Sequence, residues 1–202
     1  MGAFLYAISL QWKLDIRSKT ILITCYIVPL LFFAIMGEIF TSVMPESKYT
    51  LIQSMTVFGV TMGSFIGLPP SLVEIYSSDI NKVYKANGVP LYLGLVLTNI
   101  SAYIHLFIMS ILLYITAPFF FHAEIPEHPG IYFASLTIFI AVSLCIASII
   151  GLAIKDQAKT SMISIIVFLH LSCYLVSCSL LNCCLKHLKE SERFFLLRGV
   201  TN

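Results

Sequence analysis

Charge is what this chain most conspicuously lacks. Only 11% of its 202 residues are Asp, Glu, Lys or Arg, against about 25% in a soluble globular domain, which excludes an ordinary water-soluble fold. The 12 Lys and Arg nearly balance the 10 Asp and Glu. No basic arm stands apart, so nucleic acid is not an expected partner. The six cysteines, at 25, 145, 173, 178, 183 and 184, include no Cys-x-x-Cys pair. Neither a disulfide framework nor a metal site is expected from them.

The signatures of catalysis are missing too. Gly-x-Ser-x-Gly, His-Glu-x-x-His, a phosphate-binding Gly-x-x-x-x-Gly-Lys loop and paired intramembrane aspartates do not occur, so the chain is not expected to be an enzyme or to hold a cofactor. The N-terminal stretch lacks the form of a signal peptide, because Gln11, Lys13, Asp15, Arg17 and Lys19 interrupt it and no small-residue cleavage site follows. Tyr6 stands where a myristoylation signal needs Ser or Thr. Anchoring is expected from the apolar segments.

Those segments are abundant: 58% of the residues are hydrophobic. A hydrocarbon core of about 30 Å takes roughly 20 apolar residues of helix to cross, and runs of that order lie at about 20–43, 52–72, 90–117, 131–154 and from 160 onward. The expected fold is an all-α, polytopic transmembrane bundle of about five spans. Before the first span, Phe4, Leu5, Ile8, Trp12 and Ile16 lie roughly along one helical side of residues 1–19, which predicts a helix on the bilayer surface. The alternative is a polar flank of the first span.

Lys13, Arg17 and Lys19, then Lys82 and Lys85, then Lys155 and Lys159 fall in segments on one side of this topology. The intervening segments hold Glu46 and Lys48, then His122, Glu124, Glu127 and His128. The positive-inside rule then predicts a cytoplasmic N-terminus in the cell membrane. The tail departs from that pattern, with Lys186, Lys189, Arg193 and Arg198 on the expected outer side.

Three kinds of candidate site emerge. The stretch Glu74 to Pro90 is long and mixed in charge, and its Val73, Ile75, Ile80, Val83 and Tyr84 alternate with Glu74, Asp79, Lys82 and Lys85. That pattern suits a short amphipathic helix closed by Asn87-Gly88 and Pro90, able to dock on a soluble partner, or else a solvated connector. Glu38 is ionisable near the outer end of span one, where it either faces a wet pathway or snorkels to the surface. Asn99 and His105 in span three read as site residues or as interhelical hydrogen-bond partners.

The order of these parts, with Trp12-Lys-Leu-Asp-Ile-Arg17, two spans, a loop from Glu74 to Gly88-Val-Pro90, a long third span and Ile154-Lys-Asp-Gln-Ala-Lys-Thr-Ser161 between spans four and five, resembles the membrane domain of type-2 ABC exporters over about residues 1–169. The resemblance implies a permease subunit whose loop, with Glu74, Tyr76, Asp79, Lys82, Tyr84 and Lys85, couples to a separate ATP-binding subunit. It further implies membrane lipid and a second permease copy or paralogue as partners, with ATP bound in the partner subunit. A non-transporting membrane assembly or regulatory subunit is the second reading.

That family normally has six spans, and this chain departs from it over 170–202. Back-translated and regrouped by one nucleotide, the tail admits Pro-Ser-Ile-Met-Leu-Ser-Gly, which is similar to the start of the family's fifth span. A one-nucleotide deletion near the codons for Leu169 and His170 is therefore expected, leaving the chain truncated in the family sense and impaired in transport. The gene should then carry an open frame downstream that encodes a sixth span. A divergent tail, helical through Leu181, Leu185 and Leu188, is the alternative.

Overall fold

A computed structural model describes residues 2–43, 48–77, 90 and 92–174, and among them there is no strand. The protein is all-α. Four helical segments among the described residues are long and apolar enough to cross a membrane: Ile23–Val43, Leu51–Tyr76, Tyr92–Phe121 and Pro129–Ala153. A further helix runs from 157 to 168. The chain divides into two units, Met1–Phe168 and Leu169–Asn202. In the second unit, residues 169–174 are helical.

The helix ends have local causes. Pro129 occupies the first turn of the fourth span, where a missing N–H costs no hydrogen bond. Asp156 caps the helix that begins at 157, its Oδ1 accepting from the Lys159 N–H at 2.9 Å. The Asp in the 154–161 segment thus has a structural reason of its own. The third span extends to Phe121, beyond the expected 117, and stops where His122 turns to φ 50°. Histidine is one of the few side chains tolerated in that left-handed region.

Spans one and two each contain a widened turn just before their prolines. Ile23–Ile27 and Gly63–Gly67 are π-helical and precede Pro29 and Pro69-Pro70. Proline lacks an N–H and its ring crowds the carbonyl four residues back, so an added residue in the preceding turn relieves both defects without breaking the span. The two π turns touch each other.

Small residues set how closely the spans approach. A Cβ added at Gly59 would lie 2.8 Å from Met109 Cε, and one at Gly63 would run into Leu106, so this face of span two lies directly on span three. A Cβ at Gly151 would stand 3.0 Å from Pro69 Cα and 3.1 Å from its carbonyl oxygen, which brings the backbones of spans two and four into contact. This is how helices associate in lipid, where no hydrophobic drive separates span from solvent. Around these contacts Phe33, Ile52, Phe65, Leu72, Leu106, Met109, Leu113 and Ile140 form the core. Span two is the most enclosed and span one the least.

Cross-contacts give the direction of each span. At one end Asp15 meets Ser101, Ser148 meets Asn99, and Gly151 meets Pro69. At the other, Glu124 N–H donates to the Lys48 carbonyl, Tyr132 donates to Thr56, and Phe33 packs edge-on against Phe121. Among the described basic residues, Lys13, Arg17, Lys19, Lys155 and Lys159 belong to the first end and Lys48 to the second.

The N-terminal helix, Gly2–Arg17, buries a polar face. Leu10, Leu14 and Ile16 are exposed, whereas Asp15 is buried at 8% exposure, with Gln11 and Trp12 half-buried on the same side. The helix packs on span three through its polar side. A hydrophobic stripe points inward only when the surroundings are water, and beside a bilayer apolar side chains are equally stable facing outward.

Candidate functional site

Gln11 and Asp15 are four residues apart, hence neighbours on one helical face, and Gln11 Nε2 donates to Asp15 Oδ1 at 2.9 Å. The other carboxylate oxygen accepts a short hydrogen bond from Ser101 Oγ, 86 residues away on span three. One turn further along span three lies His105, 1% exposed, whose Nδ1 shares a 2.7 Å hydrogen bond with Tyr26 Oη. Tyr26 belongs to the π turn of span one. The Tyr26 ring stands edge-on to the imidazole at 5.7 Å, and the Trp12 ring lies 6.3 Å from it.

The sequence alone offers His105 as site residue or interhelical partner, and it is a partner of Tyr26 in a buried cluster. Neither His105 Nε2 nor Trp12 Nε1 has a hydrogen-bond partner among the described residues. A cavity of about 60 Å³ lies beside His105, walled by Gln11, Asp15, Cys25, Gly63, Gly67 and Thr98 among others. A water molecule needs only about 10–15 Å³ of such space, so there is room for a small polar guest. Both π turns contribute walls, which follows from the extra backbone width of those turns.

The remaining candidates lie apart from this cluster. Asn99 donates to the Leu95 carbonyl at 2.9 Å and accepts from Ser148 at 3.0 Å, tying span three to span four. Glu38 is exposed near the far end of span one, where with Thr41, Ser42, Lys48, Phe120 and His122 it lines an open cavity of about 260 Å³. It does not face the bundle interior.

Glu74 and Tyr76 do not open a loop. They sit on the last turns of the helix Leu68–Ser77, which extends span two past the expected 72. Glu74 is exposed, and Tyr76 Oη accepts from the Leu95 N–H at 3.0 Å. First-turn amides of a helix have no intrahelical acceptor, so this hydroxyl caps span three. Asp79, Lys82, Tyr84 and Lys85 lie outside the described residues. Among the described residues, no group of three or more His, Cys, Asp or Glu is arranged to hold a metal ion.

Several residues of the cluster escape a sequence reading. Asp15, Gln11 and Ser101 look like surface or helix-interior polars, and only their partnership gives them a role. A signal does exist for the close packing: Gly59, Gly63 and Gly67 recur every four residues inside an apolar run, the spacing that lets helices approach in membranes. Comparison with protein-family models, with curated proteins and with solved structures finds no match to this chain.

Proposed function

We propose that this protein is the membrane subunit of an ATP-driven exporter of the type-2 ABC class, residing in the cell membrane with its N-terminal helix on the cytoplasmic surface. The segment from Glu74 to Lys85 seats on a separate ATP-binding subunit. ATP is bound and hydrolysed there, and this chain supplies the pathway together with a second permease copy or paralogue. Residues 170–202 stand outside the family pattern, and a chain whose frame changes after Leu169 transports poorly.

One observation carries this reading: Gln11 and Asp15 of the N-terminal helix, Ser71 and Ile75 near the end of span two, and Thr98 near the start of span three wall the same cavity. The surface helix therefore packs on span three and shares a cavity with the end of span two, the two spans that the 78–91 connector joins. A push on that connector reaches span three directly and the surface helix through its packing on span three. The basic residues Lys13, Arg17, Lys155 and Lys159 at this end favour a cytoplasmic orientation.

Affinity purification of the chain from its native membranes is expected to recover an ATP-binding subunit. The double charge reversal Glu74→Lys with Asp79→Lys should reduce that recovery by about ten-fold, the loss that follows when buried or rim charge pairs worth roughly 1.4 kcal/mol are reversed. Recovery of other membrane proteins, with no ATP-binding subunit in either sample, would instead favour a non-transporting assembly subunit.

A further inference from the structure

The open cavity at the far end of the bundle has two chemically distinct walls. On the span-one side, Glu38 contributes a carboxylate, while Thr41 and Ser42 contribute hydroxyl oxygens. Thr41 Oγ1 donates its proton to the Gly37 carbonyl at 2.8 Å, and Ser42 Oγ donates to Ile39 at 3.0 Å. Their protons are engaged within the helix, so both oxygens meet the cavity as acceptors. Lys48, which has three donors and no acceptor, lines the same cavity.

Among the described residues, no ion pair joins the Glu38 carboxylate or the Lys48 ammonium to any partner, although both line one cavity. Two opposite charges held apart at a bilayer border are complementary to a dipolar guest carrying a cation for one and an anion for the other. The acceptor-rich wall selects the kind of cation. Three acceptors suit a primary ammonium with three N–H donors, whereas a quaternary ammonium offers none.

The surroundings select the source. Glu38 lies about 7.5 Å of helix rise from the end of the Val28–Val43 helix. Phe120, at 74% exposure, lines the cavity, and Phe119, at 79%, precedes it at the end of span three, as aromatic side chains do at headgroup depth. A volume of about 260 Å³ lies below the roughly 300–1,000 Å³ of pockets for drug-sized molecules. It is on the scale of a headgroup whose tails remain in the bilayer.

We propose that this cavity binds the headgroup of an ethanolamine phospholipid, its ammonium against Glu38, Thr41 and Ser42 and its phosphate against Lys48. The site is independent of whether the chain couples to an ATPase. Lys48 holds the phosphate as a point charge, and Glu38 accepts charge-assisted hydrogen bonds from the ammonium. The exposed Phe119 and Phe120 border the path of the acyl chains.

Native mass spectrometry of the full chain, delipidated in detergent and titrated with phosphatidylethanolamine, phosphatidylcholine or phosphatidylglycerol of identical acyl chains, tests this. The ethanolamine lipid is expected to bind about ten-fold more tightly than either of the others, the effect of one charge-assisted hydrogen-bond set. Glu38→Gln should abolish the preference, whereas Glu127→Gln, an exposed acidic residue outside the cavity, should preserve it. Equal binding of the three lipids, or a preference that survives Glu38→Gln, overturns the proposal. Saturation by free phosphoethanolamine at the concentrations that suffice for the lipid overturns the membrane source and makes the guest a soluble zwitterion.

Discussion

Replacing Gly151 by leucine is expected to prevent the bundle from assembling. The position faces backbone, not flexible side-chain ends: Pro69 Cα and carbonyl oxygen and Leu72 Cβ all lie within 3.0–3.1 Å of where a Cβ would sit. Pro69 follows a π turn that is itself fixed by its packing, so span two cannot yield locally. Alanine alone should cost about 1–3 kcal/mol, the usual effect of overpacking a filled interior. Leucine adds three further carbons with nowhere to go. Thermal unfolding in detergent, followed by size-exclusion chromatography, should show a lowered midpoint for Gly151→Ala and loss of the monodisperse peak for Gly151→Leu. Gly130 provides the control, since a Cβ there meets nothing within 4 Å, and Gly130→Ala should leave the midpoint within the range of ordinary surface substitutions.

Ser101→Ala is expected to destabilise the docked N-terminal helix more than its small size suggests. The alanine removes a donor from the buried Asp15 carboxylate and leaves only Gln11 as partner. Hydrogen bonds to a charged group contribute about 1.5–3 kcal/mol, and a buried acceptor left short carries its own desolvation cost. Adding Asp15→Leu should restore most of the loss, because both polar partners are then gone and an apolar side chain takes the place. The same unfolding assay reads this out. A double variant no more stable than Ser101→Ala alone would mean that the carboxylate is not the group that needs the serine.

The spans were legible from hydropathy alone because crossing a hydrocarbon layer requires an unbroken apolar length, and Ile23–Val43, Leu51–Tyr76, Tyr92–Phe121 and Pro129–Ala153 all coincide with expected runs. Their ends were less so. Span two carries Glu74 and Tyr76 on its helix because a Tyr76 hydroxyl capping span three holds that last turn in place, and such a long-range contact leaves no trace in local composition. Which side of the N-terminal helix packs on protein is not legible in the sequence for a different reason. Leu10, Leu14 and Ile16 are exposed while Asp15 is buried, and hydrophobicity ceases to report direction when both lipid and protein accept the same side chains.

Asn99 and His105 were recognisable as polar residues at depth, and each has an interhelical partner. What the sequence withheld was the partner's identity, since Tyr26 and Ser148 lie 79 and 49 positions away. Nor did it distinguish a wet pathway from surface snorkelling for Glu38. Its exposure, and the cavity it shares with Lys48, place it at the end of the bundle.

The exporter reading makes the 74–85 segment an interface with a soluble ATPase, and that is directly measurable. A photo-crosslinking amino acid introduced at Tyr84, with a second variant at Glu127 as the opposite-end control, should be expressed in the native cells and irradiated in intact membranes. The account predicts that the Tyr84 position captures an ATP-binding subunit and the Glu127 position does not. Capture of no ATP-binding protein from Tyr84, or equal capture from both positions, would contradict it.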